Sequence, residues 1–135
     1  MIFMTNSELI EKAEKASENS YSPYSKFRVG AALLCDDGEV FTGCNVENAS
    51  YGATCCAERT AIFSAVAKGK RHFVKIAIAG TSDGSFSSIT QPCGVCRQVL
   101  SEFCSENFKI ILTDSNGIHE MNFSDIFPLP FVLSI

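Results

Sequence analysis

The sequence predicts a three-layer α/β/α domain built on a mixed five-stranded sheet. Two observations carry that prediction. After an initial hairpin, the apolar pattern alternates strand, helix, strand, helix, strand, which implies helices on both faces of a partly parallel sheet. Both thiol-bearing helices also begin at the carboxyl ends of strands or the loops that follow them, where open α/β sheets place their ligands. At 135 residues the chain is long enough for one core and too short for two. A single domain over residues 1–135 is therefore expected.

Thr5 or Ser7 is placed to cap a first helix whose apolar face is Leu9, Ile10, Ala13 and Ala16 and which ends near Asn19-Ser20. Pro23 cannot continue it, so Tyr21-Ser-Pro-Tyr-Ser25 is expected to be an ordered loop. Val29–Cys35 reads as a buried strand, Asp36-Asp37-Gly38 as a hairpin turn, and Glu39–Cys44 as its partner strand. Asn45–Gly52 is a loop that delivers the chain to Cys56. A second helix runs to about Lys68 with Ala57, Ala61, Ile62, Ala65 and Val66 on one face, and Gly69 ends it. Phe73–Ala79 is a third strand. Pro92 opens a third helix with Val95, Val99, Leu100 and Phe103 inward. Lys109–Thr113 is a fourth strand, Asp114–Gly117 a turn, and the region from His119 to Phe123 a short fifth strand. Ser124 is placed to cap a one-turn helix before the Pro128/Pro130 tail.

The composition, 46% hydrophobic and 19% charged, is that of a soluble globular protein. A net charge of −4 with no basic stripe argues against a nucleic-acid partner, since neutralising phosphates needs clustered Lys and Arg. No stretch approaches the roughly 20 apolar residues of a membrane helix. Met1–Asn6 turns polar too soon for a signal peptide, so a cytoplasmic protein is expected. Seven cysteines in such a chain suggest reduced thiols and metal binding before disulfides.

Three of them have ligand-like placement: Cys56, Cys93 and Cys96. Cys56 and Cys93 sit at helix starts, where the dipole and free N–H groups favour thiolate. Cys96 follows Cys93 by three residues on the same helical face. Three thiolates can hold one Zn²⁺ and leave a fourth position to water. Glu58, two residues past Cys56, is a candidate to move that water's protons. Alone, a Glu there would only complement a helix dipole; its proximity to the thiols favours chemistry. Arg59, one turn past Cys56, is placed either to offset the thiolate charge or to form a surface ion pair. His72 and His119 read as exposed or capping. Cys35, Cys44, Cys55 and Cys104 read as small buried hydrophobes.

Cys56-Ala-Glu58 followed by Pro92-Cys-Gly-Val-Cys96 resembles the three-cysteine signature of zinc-dependent deaminases. Tyr21–Ala32, Phe41–Tyr51, Cys56–Ala61 and Pro92–Leu100 together are similar to the small-subunit form of the cytidine deaminase family. The resemblance implies one zinc per subunit on Cys56, Cys93 and Cys96, with Glu58 as proton shuttle. It implies that Asn45 and Glu47 hold the ribose 3′-hydroxyl and Phe27 packs on the pyrimidine. It also implies that the Ala57 N–H meets the ring carbonyl. The implied reaction is hydrolysis of cytidine or 2′-deoxycytidine to uridine or deoxyuridine with release of ammonia, as in pyrimidine salvage. The small form is a homotetramer, in which Tyr51 and Phe131 match positions that reach a neighbouring site. A blasticidin-type deaminase shares the ligands, but Asn45-Val-Glu47 favours the cytidine branch. A non-catalytic zinc module gives no reason for Asn45, Glu47 and Glu58 to occur together.

Overall fold

The computed structural model describes residues 4–134; the residues at the extreme N-terminus on which the signal-peptide reading rests lie partly outside that range. In chain order the elements are α1 (Asn6–Ser17), β1 (Arg28–Cys35), β2 (Val40–Cys44), α2 (Ala57–Ala67) and β3 (Phe73–Thr81). There follow α3 (Gly94–Phe103), β4 (Lys109–Asp114), β5 (Gly117–Asn122) and α4 (Phe123–Ile126). The sheet order is β2-β1-β3-β4-β5. Only β3 and β4 run parallel; the other neighbours are antiparallel, so the sheet is mixed as predicted.

Helix α1 is opened by a capping box in which the Glu8 N–H donates to Thr5 and the Thr5 N–H donates to the Glu8 carboxylate. It ends at Ser17, earlier than expected, because the Asn19 and Ser20 N–H groups bond three residues back and tighten the chain into turns. Its inward side, Leu9, Ile10 and Ala13, packs on Ala32, Leu34, Ala77, Ala79 and Ile111. The opposite sheet face presents Ala31, Leu33, Ile76, Ile78, Ile110 and Leu112 to α2 and α3. Successive residues of β1 thus feed alternate cores, the period-2 consequence of covering both faces. Helix α2 lies very close to β2: a Cβ at Gly43 would come within 2.4 Å of the Ala61 nitrogen and 2.6 Å of the Ala57 carbonyl oxygen.

Several sequence expectations are corrected. Pro92 precedes α3, whose N-cap is Cys93 and whose first residue is Gly94. Cys96 and Leu100, four apart, carry its buried face, which leaves Val95 57% exposed. Strand β5 stops at Asn122, which occupies the N-cap of α4 without a side-chain capping bond, and Ser124 lies inside that helix. Phe123 is buried against Phe108, with Phe127 beside it, so both rings seal the chain's own core. Of the four cysteines expected in the core only Cys35 is fully buried; Cys44, Cys55 and Cys104 are half-buried. The Asn45–Gly52 loop is more ordered than expected. Val46 bridges Tyr21 on one side and Cys55 on the other, and Tyr51–Ala53 forms a 3₁₀ turn.

Candidate active site

The starts of α2 and α3 face one another at one end of the sheet. Cys56 and Cys93 are the N-cap residues of these helices, both extended. Their Sγ atoms are 3.7 Å apart, and with Cys96 the three sulfurs lie within 4.8 Å of one another. Tetrahedral zinc with bonds of about 2.3 Å separates its sulfurs by about 3.8 Å, so the donor set fits that ion. The Cys93 Sγ also accepts from the Cys96 N–H, which orients it toward the cluster. Arg59 donates through Nη2 to the Cys56 Sγ (3.5 Å) and to the Thr54 carbonyl (3.3 Å). Its buried Nε has no partner among the described residues, so a positive group is aimed at a region rich in sulfur.

The electrostatics follow the same layout. The neighbouring Cys96 thiol, then Arg59 and Cys93, hold the Cys56 thiol well below its ordinary value. The same pairing with Cys56, together with burial, pushes Cys96 up. Glu58 is only 4% exposed. Burial pushes its carboxyl up to about 7, against a weaker downward pull from its own backbone N–H. A carboxyl that exchanges its proton near neutrality, beside three thiols, suits general acid–base work.

A cleft of about 270 Å³ opens onto this cluster. Phe27, Asn45, Glu47, Ala57 and Glu58 all line it, with Cys56 and Cys93 at its floor. Ala57 is the first residue of α2, where helix N–H groups have no intrahelical acceptor. Tyr51 and Phe131 are not part of this cleft. Tyr51 is 77% exposed and stacks edge-on with Tyr24 over an adjoining depression that shares Ser25, Glu47 and Thr54 with the cleft. Phe131 is 70% exposed, and its carbonyl accepts from Gln98 Nε2.

Asn45 and Glu47, two of the polar side chains of the cleft, are held firmly. Asn45 Nδ2 donates to the Phe27 carbonyl (2.9 Å), and its Oδ1 accepts from the Val29 N–H (2.9 Å) and from the Ser20 hydroxyl. Glu47 accepts from the Tyr24 N–H (3.0 Å), the Ser25 N–H (3.1 Å) and the Ser25 hydroxyl. Sequence reasoning missed Ser20, Ser25, Gly80, Thr90 and Gln91. Gly80 is required because a Cβ there would sit 2.4 Å from the Thr90 Oγ1 and 2.7 Å from the Phe27 ring. The available signal was the run of serines around Pro23.

Fold and donor set together define a zinc-binding α/β/α protein with a buried carboxyl beside the three thiols. The family model described as the cytidine and deoxycytidylate deaminase zinc-binding region matches residues 4–112. A cytidine deaminase of Sporosarcina psychrophila is 47% identical over 124 residues, 91% of this chain and 88% of that protein. The crystal structure of cytidine deaminase from Burkholderia pseudomallei superposes with a TM-score of 0.86 at 46% identity, covering 95% of this chain and all of that one. The Mycobacterium tuberculosis cytidine deaminase structure gives 0.83 at 38% identity, covering 96% of this chain and 99% of that one. The chain belongs to the cytidine and deoxycytidylate deaminase family.

Proposed function

We propose that this protein hydrolyses cytidine and 2′-deoxycytidine to uridine and 2′-deoxyuridine with release of ammonia, a step of pyrimidine salvage. The observation that carries the reading is the buried Glu58 carboxyl beside the Cys56, Cys93 and Cys96 sulfurs at the floor of a cleft sized for a nucleoside. Zinc held by those three sulfurs supplies a Lewis acid that makes water nucleophilic at neutral pH. Glu58 takes a proton from the attacking water, delivers it to ring N3, and later carries a proton to the departing amine. Arg59 offsets the net negative charge of three thiolates on a divalent ion and keeps Cys56 oriented.

Phe27 packs on the pyrimidine, and the Ala57 N–H meets the ring carbonyl. Asn45 has its Oδ1 fully engaged and keeps one amide hydrogen, so toward a ligand it is a donor. Glu47 is an acceptor. A donor beside an acceptor suits a hydroxyl group, which is what a ribose 3′ position offers. The acidic Glu47 also disfavours nucleotide phosphates, which makes the free nucleoside the substrate.

The chain works as one catalytic domain in the cytoplasm. It assembles as a homotetramer, with Tyr51 and Phe131 reaching neighbouring sites. Leu129, Phe131, Val132 and Leu133 support this, since four large apolar side chains exposed in one tail call for cover. No helix among the described residues is long and apolar enough to cross a membrane. The deciding experiment is ultraviolet-monitored turnover of cytidine by the purified protein, before and after chelation. Turnover abolished by chelator and restored by zinc is expected; absence of turnover by zinc-loaded protein would defeat the reading.

A further inference from the structure

Among the described residues the turn Tyr24–Phe27 makes no hydrogen bond to the thiols or Glu58, yet it is bonded to both Asn45 and Glu47. Ser25 is the junction. Its hydroxyl donates to Glu47 Oε2, and the same oxygen accepts from the Phe27 N–H at 3.0 Å. The other side of Phe27 is taken by Asn45, whose Nδ2 donates to the Phe27 carbonyl at 2.9 Å. Glu47, Ser25, Phe27 and Asn45 thus form one continuous chain of hydrogen bonds through a single residue's backbone. Two further donors, the N–H groups of Tyr24 and Ser25, grip the other Glu47 oxygen.

The turn is bent to make this arrangement. Lys26, between Ser25 and Phe27, has a φ of 60°, the single left-handed non-glycine residue among those described. A long side chain is disfavoured there by about 1 kcal/mol or more. The left-handed step folds Phe27 N–H back onto the Ser25 oxygen and frees the hydroxyl proton for Glu47. Strain kept at one residue, in a turn anchored to the cleft, is what a positioning device looks like.

We propose that Ser25 is a positioning residue that fixes the Glu47 carboxylate for the sugar and ties it to the Phe27 backbone under the base. The inference rests on the reading of Glu47 as a ligand of the 3′-hydroxyl. With the Ser25 hydroxyl present, Glu47 has one oxygen filled by two N–H donors and the other pinned but still able to accept once more. The Ser25 hydroxyl and N–H groups also hold the Glu47 carboxyl below its ordinary value, which keeps it an acceptor. Without the hydroxyl the carboxylate can swing about its remaining bonds, and Phe27 loses the acceptor for its N–H. Sugar recognition and base stacking then loosen together, while the thiols and Glu58 are untouched.

The test is steady-state kinetics of the zinc-loaded protein on cytidine and on 3′-deoxycytidine, for wild type, Ser25→Ala, Ser25→Thr, Glu47→Ala and the Ser25→Ala/Glu47→Ala pair. Ser25→Ala should lower kcat/KM for cytidine about tenfold, the size of one hydrogen bond to a charged group, mainly through KM. Its loss on 3′-deoxycytidine should be clearly smaller, and Ser25→Thr should restore most of the difference. On the Glu47→Ala background, Ser25→Ala should cost less than half as much on a logarithmic scale. If Glu47→Ala leaves discrimination between the two nucleosides intact, the sugar-site reading fails and this inference with it. If Glu47→Ala abolishes discrimination but Ser25→Ala keeps the wild-type ratio, or loses equally on both substrates, only the role of Ser25 is overturned. Should Ser25→Ala not fold, Ser25→Val, which has the shape of Thr without the hydroxyl, is set against Ser25→Thr: discrimination kept by Thr and reduced in Val supports the inference, and equal discrimination in the two overturns it.

Discussion

Cys56 and Cys93, 37 positions apart in sequence, hold their sulfurs 3.7 Å apart because each is the N-cap of its own helix. An N-cap side chain points back along the helix start, so two helices that converge N-terminus to N-terminus present two thiols to one point. Cys96, one turn into α3, supplies the third from below. Purified protein should therefore carry about one zinc per subunit. Cys93→Ala should lose most of it while leaving the helical content intact. Elemental analysis with circular dichroism would check this, and full zinc occupancy in Cys93→Ala would contradict it.

Glu58→Gln keeps the size and burial of the side chain and removes its proton transfer. The variant should retain zinc and lose at least about a thousandfold in kcat, because one group serves both the water and the leaving amine. Stopped assays at high enzyme concentration would measure the residual rate. Turnover within tenfold of wild type would assign the proton transfers to another group.

In the zinc-free protein Glu58 should be a liability at high pH. Its folded value, about 7, lies above the ordinary 4.5, so the fold prefers the protonated form. That contribution is complete below pH 4.5 and is lost as the pH rises through 7. The loss is at most about 3 kcal/mol. Glu58→Gln should thus be the more stable of the two chelated proteins at pH 8, with the advantage shrinking toward pH 5. Cys56 shifts in the opposite direction, but it is common to both proteins. Denaturant titrations at the two pH values would show it, and a constant difference between variants would refute it.

Gly80→Ala should raise KM for cytidine and destabilise the fold by about 1–3 kcal/mol. The added methyl would press on Thr90 and on the tip of the Phe27 ring at once. Thermal melts and KM together test this; an unchanged KM would show that the ring position does not matter to binding.

Deleting residues 131–135 should raise KM by tenfold or more without reducing zinc content, if the tail completes a neighbour's site. Sedimentation should show weakened assembly in parallel. A fully active wild-type monomer at assay concentration would rule the arrangement out.

The three-layer order and the cysteine cluster were legible in the sequence because both depend on short-range pattern. Apolar periodicity marks the elements, and Cys56, Glu58, Cys93 and Cys96 each lie within four residues of a helix start. What stayed hidden depends on distant partners. Ser25 meets Glu47 across 22 residues and Ser20 meets Asn45 across 25, through the bridge between Tyr21 and Val46. No local signal announces such pairs. The orientation of Val95 was misread because Val95 and Val99 offer an apolar pair four apart, whereas the buried pair is Cys96 and Leu100, about 100° further round the helix. The burial of Phe123 and the place of Phe127 beside it were not legible either, because the aromatic cluster with Phe108 is assembled by tertiary packing.

The contact between Gly43 and α2 bears on how freely this protein can be redesigned. With the Ala57 carbonyl and the Ala61 nitrogen already within 2.6 Å of where a side chain would begin, there is no small substitution that leaves the helix in place. Lifting α2 would move Cys56, Ala57 and Glu58 as one body, away from Cys93 and Cys96 on the other helix. Directed evolution toward new bases should find the Gly43 ridge closed to change. The productive freedom lies in the loop around Thr90 and Gln91, which shapes the cleft without carrying the helix that bears Glu58.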